Sequence, residues 1–158
     1  MSTELAICPD CGASWQDGQT CQDYFYQMLY WENEYPGHGV VHHLLVLCYH
    51  LQHPRLYSAE IMPGVLKMLY DFVEGGVSPQ EMRRSMRARV DSGKRDFKIT
   101  ARADSQGSYT HPVHWTMRAG DVVARGADEY IASVNLWARS MLDALRKSGN
   151  LPANISAG

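Results

Sequence analysis

Apolar positions along most of this chain recur at the three- and four-residue spacing that lines one face of a helix. From Thr20 the segment Thr20-Cys21-Gln22-Asp23 offers an N-cap with an acid three residues on. Beyond it Cys21, Phe25, Met28, Glu32 and Tyr35 fall on one stripe, with Tyr24, Leu29 and Trp31 beside them. Pro36-Gly37 ends this first helix near Glu34. A second helix, about 39–52, is apolar nearly all round, which marks the central helix of a bundle, and Pro54 stops it. Three more are predicted, over about 58–74, 79–91 and 127–147. The third ends at Gly75-Gly76, and Pro63-Gly64 within it predicts a late start or a kink. The fourth opens on Ser78-Pro79-Gln80-Glu81, with Ser as N-cap, Pro at N1 and Glu at N3. The last carries the stripe Tyr130, Ile131, Val134, Trp137, Ala138, Met141, Leu142 and Leu145.

Elsewhere the periodicity dissolves. Residues 1–19 read as an irregular head with turns at Cys8-Pro9-Asp10-Cys11-Gly12 and Asp17-Gly18. Residues 92–126 read as a long loop, in which 97–101 alternates like one short strand without a partner. The expected fold is therefore all-α: an irregular bundle of about five helices with a zinc-clipped N-terminal head and a long loop before the last helix. It forms a single domain over 1–158, divided into the head (1–19), a helical core (20–91), the loop (92–126) and the C-terminal helix (127–148).

Composition fits that picture: 158 residues at 45% hydrophobic suffice for one domain with a core. The longest apolar run, 44–49, is too short to cross a bilayer, and residues 1–7 lack the basic and apolar regions of a secretory leader, so a cytoplasmic protein with no membrane association is expected. The net charge of −2 conceals an asymmetry. Residues 1–80 carry nine acids against Arg55 and Lys67, a net −7, which leaves +5 for the rest. Most of that positive charge lies between Arg83 and Arg102. Such a stretch suits nucleic acid or an acidic partner, but a solvated helix face followed by a loop gives the same count.

The cysteines carry the chemistry. Three of the four lie within the first 21 residues, a distribution that favours metal ligation over a disulfide scaffold. Cys8-x-x-Cys11-Gly is a turn that lets two thiolates grip one ion, Gly12 permitting the bend, and Cys21 follows at a helix N-terminus, where the dipole favours a thiolate. Zinc is the expected ion. The competing readings are a redox Cys-x-x-Cys pair, which here lacks its βαβ context, and thiols without a role. A fourth ligand must be found. If the first two helices are antiparallel, as their short connection implies, Cys21 lies beside His50 and His53, whereas His42 and His43 stand about three turns away, roughly 16 Å at the helical rise. His53 is preferred because Pro54 fixes the chain just beyond it; a site completed by water or by a loop residue stays open.

The same geometry sets His42 against Glu32 at the far end, a buried pair able to act as general base with its orienting carboxylate, or simply to satisfy two polar groups in a core. His111 and His114 lie in the long loop with Tyr109 and Trp115, as alternative ligands or exposed side chains. Cys48 reads as a small core residue, and Tyr24-Phe25-Tyr26, Tyr30 and Trp31 as mostly packing. P-loop, dinucleotide, Gly-x-Ser-x-Gly and His-Glu-x-x-His motifs are absent, so standard nucleotide and zinc-protease chemistry has no support.

Taken together, Cys8-x-x-Cys11-Gly, Cys21 with Glu32, Val41-His42, Tyr49-x-x-Gln52-His53-Pro54, Glu74-Gly75-x-x-x-Pro79 and Trp137-Ala138-Arg139-Ser140 resemble a family of small bacterial proteins of unknown function. The resemblance implies no reaction; it implies only that Cys8, Cys11, Cys21, Glu32, His42 and His53 follow the family's pattern. Val65 and the Pro63-Gly64 break depart from it, in a place where a continuous helix with a polar residue is expected.

Three functions follow as expectations. The first is a zinc-binding helical protein whose ion is structural, held by Cys8, Cys11, Cys21 and His53, and which acts through a protein or small-molecule partner. The second is a hydrolase-like metal enzyme with an open zinc position and Glu32 and His42 handling protons. The third is a nucleic-acid-associated regulator using the basic 83–102 stretch.

Overall fold

A computed structural model of the chain describes residues 6–15, 18–78, 80–81, 84 and 106–152. Five α-helices lie wholly within these residues: α1 Cys21–Glu34, α2 His42–Gln52, α3 Met62–Val73, α4 Ala119–Ala124 and α5 Tyr130–Ser148. The architecture is the expected irregular helical bundle.

Local chemistry accounts for each boundary. Thr20 caps α1, its hydroxyl accepting from the Asp23 amide while the Asp23 carboxylate accepts from the Thr20 amide at 2.8 Å, a capping box. A short 3₁₀ turn, His38–Val41, leads into α2, whose Leu44, Leu45, Leu47, Cys48, Tyr49, Leu51 and Gln52 are all buried, as a central helix requires. Pro63 falls in the first turn of α3, after a 3₁₀ turn at Ala59–Ile61, so the Pro-Gly pair produces a late start. The fourth expected helix is present at its start, where the Glu81 amide donates to Ser78 Oγ at 3.1 Å; its remainder lies outside the described residues, as does the expected strand at 97–101.

Two elements differ from the sequence reading. The head is not wholly irregular: Ala6–Ile7 (β1) and Ser14–Trp15 (β2) pair antiparallel, Ala6 opposite Trp15 and Ile7 opposite Ser14, around the Cys8–Cys11 turn. The described part of the long loop runs without regular structure from 107 to 118 and then forms α4. The Arg118 amide donates to the Asp121 carboxylate at 2.9 Å to start that helix. Gly120 lets α4 approach α1 closely, since a Cβ there would lie 3.0 Å from the Tyr24 ring.

The core lies where α5 packs on α2 and α3, with α4 and α1 closing a further side. Met28, Leu44, Leu45, Leu51, Leu69, Trp137, Met141, Leu142 and Leu145 are fully buried. Among the described residues no helix is long and apolar enough to cross a membrane.

Candidate metal centre

The β1–β2 ribbon builds a knuckle. The Cys8 amide donates to the Ala13 carbonyl at 2.8 Å and the Gly12 amide to the Cys8 carbonyl at 3.0 Å, which closes the turn and leaves both thiols on its inner side. Gly12 has φ of 77°, a left-handed conformation costly for any residue with a Cβ. Cys21 is the first residue of α1, and His53 is the residue that ends α2.

These elements converge. Ligand atoms of Cys8, Cys11, Cys21 and His53 all lie within 4.8 Å of one another, and all four residues are buried. Cys11 Sγ is 3.6 Å from Cys21 Sγ, far beyond a disulfide bond, and all four cysteines are free. Two sulfurs bound tetrahedrally to one zinc-sized ion stand about 3.7–3.8 Å apart, so the pair already has a metal-binding separation. The four residues can hold a metal ion.

The histidine is set up for the task. His53 Nδ1–H donates to the Tyr49 carbonyl at 2.7 Å, which fixes the tautomer and leaves Nε2 bearing a lone pair. That Nε2 is buried without a hydrogen-bond partner. An orphaned buried acceptor is costly, and a cation among the sulfurs would satisfy it; a ligating histidine held by a carbonyl through its other nitrogen is a recurrent metal-site arrangement. Cys21 carries the thiolate character of the cluster. A hydrogen bond from the Cys11 thiol, with further help from the Trp15 indole N–H at 3.3 Å, draws its pKa down to about 4 against the opposing effect of burial. Tyr49, packed between Phe25 at 4.4 Å and His53 at 4.5 Å, has its phenol pushed up to about 12 by burial first and the nearby thiolates next.

Side chains remote in sequence brace the knuckle. Arg55 pairs with Asp10 at 2.9 Å, and Arg118 Nε donates to the Cys11 carbonyl at 2.7 Å. Gln52 is fully buried and donates to the Met117 carbonyl at 2.7 Å, while the Tyr109 hydroxyl donates to the Leu51 carbonyl, so the irregular segment is fastened to the end of α2. The sequence reading singled out none of Trp15, Arg55, Gln52 and Arg118 for these roles. Gln52 stood within the Gln52-His53-Pro54 motif, which gave no hint of its partner.

The other sequence candidates fall elsewhere. His50 takes the same tautomer as His53, Nδ1 to the Val46 carbonyl at 2.8 Å, and its pKa is lowered chiefly by burial, but it lines a cleft beside the cluster instead of joining it. His111 and His114 are exposed and outside the cluster. Of the basic 83–102 stretch only Arg84 is described, and it is exposed. Cys48 is fully buried in the core, its thiol raised by desolvation.

Glu32 and His42 do meet, Nδ1 to Oε1 at 2.7 Å, yet the expected burial holds for one partner only: the side chain is 7% exposed for Glu32 and 44% for His42. The other carboxylate oxygen accepts from the Tyr130 hydroxyl at 2.5 Å, a partner on α5 the sequence did not reveal. Burial, together with that carboxylate, raises the Tyr130 pKa. Glu32 lies eleven residues along α1 from Cys21, about 16 Å at the helical rise, so this pair is out of hydrogen-bond reach of the metal centre.

A cleft of about 480 Å³ opens beside the cluster. Its lining takes in Cys8, Cys21 and His53 from the cluster together with Trp15, Phe25, Tyr26, His50, Asp10 and Arg55.

The chain belongs to a family of unknown function, DUF5946, whose pattern matches residues 6–146; this agrees with the resemblance to an uncharacterised family seen in the sequence. Neither a curated protein nor a solved structure matches the chain.

Proposed function

We propose that this is a zinc-binding helical protein in which a single structural ion, held by Cys8, Cys11, Cys21 and His53, ties the head to the end of α2, and that its biological role is to bind a protein or small-molecule partner. The observation that carries the reading is the buried, unpartnered Nε2 of His53 set among three buried thiols. Sulfur-rich donor sets select zinc among the common divalent ions, and four protein donors fill a tetrahedron. Bound there, zinc would neutralise the buried thiolates and supply folding free energy; no position is left for a reacting water. His53 orients its donor nitrogen through the Tyr49 carbonyl, and Trp15 shields and hydrogen-bonds Cys21. The enzyme reading loses its proton-handling pair, because Glu32 and His42 stand at the far end of α1 and α2. A small molecule has a route to the centre through the cleft lined by Cys8, Cys21 and His53.

The test is the metal content of protein purified without added zinc. One equivalent of zinc is expected. His53→Ala should weaken binding by more than the roughly 10–100-fold lost when an outer-shell partner is removed. Cys48→Ala, at the other free thiol, should retain full stoichiometry. Protein that purifies without metal, and takes up none, overturns the proposal.

A further inference from the structure

We propose, resting on the reading of the cluster as a metal site, that Cys11 and Cys21 are a reversible redox pair: peroxide entering the cleft joins them as a disulfide and the ion is released. The two sulfurs are in contact at 3.6 Å, and only one of the two residues belongs to the lining of the cleft. Cys8 and Cys21 line it and Cys11 does not, and of the two lining thiols Cys21 is the one whose sulfur touches a second sulfur. An oxidant the size of hydrogen peroxide that reaches Cys21 through the cleft therefore finds Cys11 in contact as the resolving thiol.

The chemistry closes without a further reactant. The Cys21 thiolate attacks one peroxide oxygen, the O–O bond breaks, and the departing hydroxide takes a proton to become water, leaving Cys21 as a sulfenic acid. Cys11 then attacks the Cys21 sulfur, the S–O bond breaks, and a second hydroxide leaves and is protonated to water. Two thiolates have lost two electrons, and one peroxide has become two waters. Cys11 and Cys21 are then lost to the site as ligands, and Cys8 with His53 are too few to retain an ion. The new bond replaces only the link between the head and α1, so His53 at the end of α2 is set free.

The experiment uses the full chain loaded with zinc and treated with a few equivalents of hydrogen peroxide. A chromophoric chelator reads the released zinc, alkylation followed by intact mass counts the remaining thiols, and digestion without reductant maps the crosslink. Full release of zinc is expected alongside loss of two of the four alkylatable thiols. The crosslinked peptides should be those of Cys11 and Cys21, and dithiothreitol with added zinc should reverse the change. Cys48→Ala should respond identically. Zinc-loaded protein that keeps all its thiols, or that joins Cys8 to Cys11 instead, overturns the inference while leaving the metal reading intact. Failure of the metal reading looks different: there is then no ion to release, although the Cys11–Cys21 bond still forms.

Discussion

At Glu32 one carboxylate joins three helices. Its two oxygens accept from His42 on α2 and Tyr130 on α5; the His42 side is open to water, whereas Tyr130 is fully buried. Removing the phenol hydroxyl leaves a carboxylate oxygen in a nearly dry site. Tyr130→Phe, which keeps the fully buried ring, should therefore destabilise the fold by about 1.5–3 kcal/mol, the range for hydrogen bonds to charged groups. Urea unfolding read by fluorescence checks this, with Tyr35→Phe as an exposed comparison that should stay within about 0.5 kcal/mol of wild type. An unchanged midpoint in Tyr130→Phe would mean that Glu32 finds another donor. The choice between His50 and His53 belongs to the same scale. Both give Nδ1 to the carbonyl four residues back, and what separates them is three positions along the helix, a rotation of about 300° that turns one to the cluster and the other to the cleft. Pro54, which stops the helix just beyond it, is what singled out His53 in the sequence.

Among the elements, α3 and α5 are fastened at their ends by Glu74 and Arg146, a two-pronged pair at 2.7 and 2.9 Å. The Arg146 guanidinium holds the Glu74 carboxyl below its ordinary value of 4.5. A carboxyl depressed in the folded state stabilises the fold above its unfolded pKa, and that contribution disappears as pH falls through the folded value. The stability difference between wild type and Glu74→Gln should accordingly be present at neutral pH, begin to shrink near pH 4.5 and vanish below it, and high salt should reduce it throughout. Thermal midpoints of the two proteins across pH 3–7, compared pairwise, isolate the effect from any shared protonation of the thiolates; a constant difference down to the lowest pH would remove the pair from the account. Helices of three turns or more were readable because their caps and stripes repeat: the Thr20–Asp23 box and the Pro63 start both appear where the residues put them. The ribbon strands and α4 were not, since two residues show no alternation and the six residues of Ala119–Ala124 span fewer than two turns.

For the whole molecule, the division is between a core that packs itself and a head that does not. Leu45, Leu69, Trp137, Met141 and Leu145 make a dry interior, all contributed by the helices α2, α3 and α5. The knuckle instead offers little apolar surface, Ile7 being 63% exposed, and is held by polar contacts that reach from Asp10 to Arg55 and from Cys11 to Arg118. The cysteine set was legible because its members crowd together near one end of the chain. The braces were invisible because a separation of 107 residues leaves no pattern in a single sequence. This division makes the effect of metal removal regional. Stripped of an ion, three buried sulfurs and an imidazole must either stay crowded in a tight cluster or open to water, and the second course costs only the knuckle's few contacts. Chelation should thus raise amide exchange at least about tenfold across 6–21 and 53–56, the segments that carry the ligands, while amides of α5 over Tyr130–Ser148 change less than about twofold. Hydrogen exchange read by mass spectrometry on metal-loaded and chelated protein measures both regions at once. Loss of protection in α5 to the same degree as in the head would show that the ion holds the entire fold, because the core would then be unable to stand without the clip that joins Cys21 to His53.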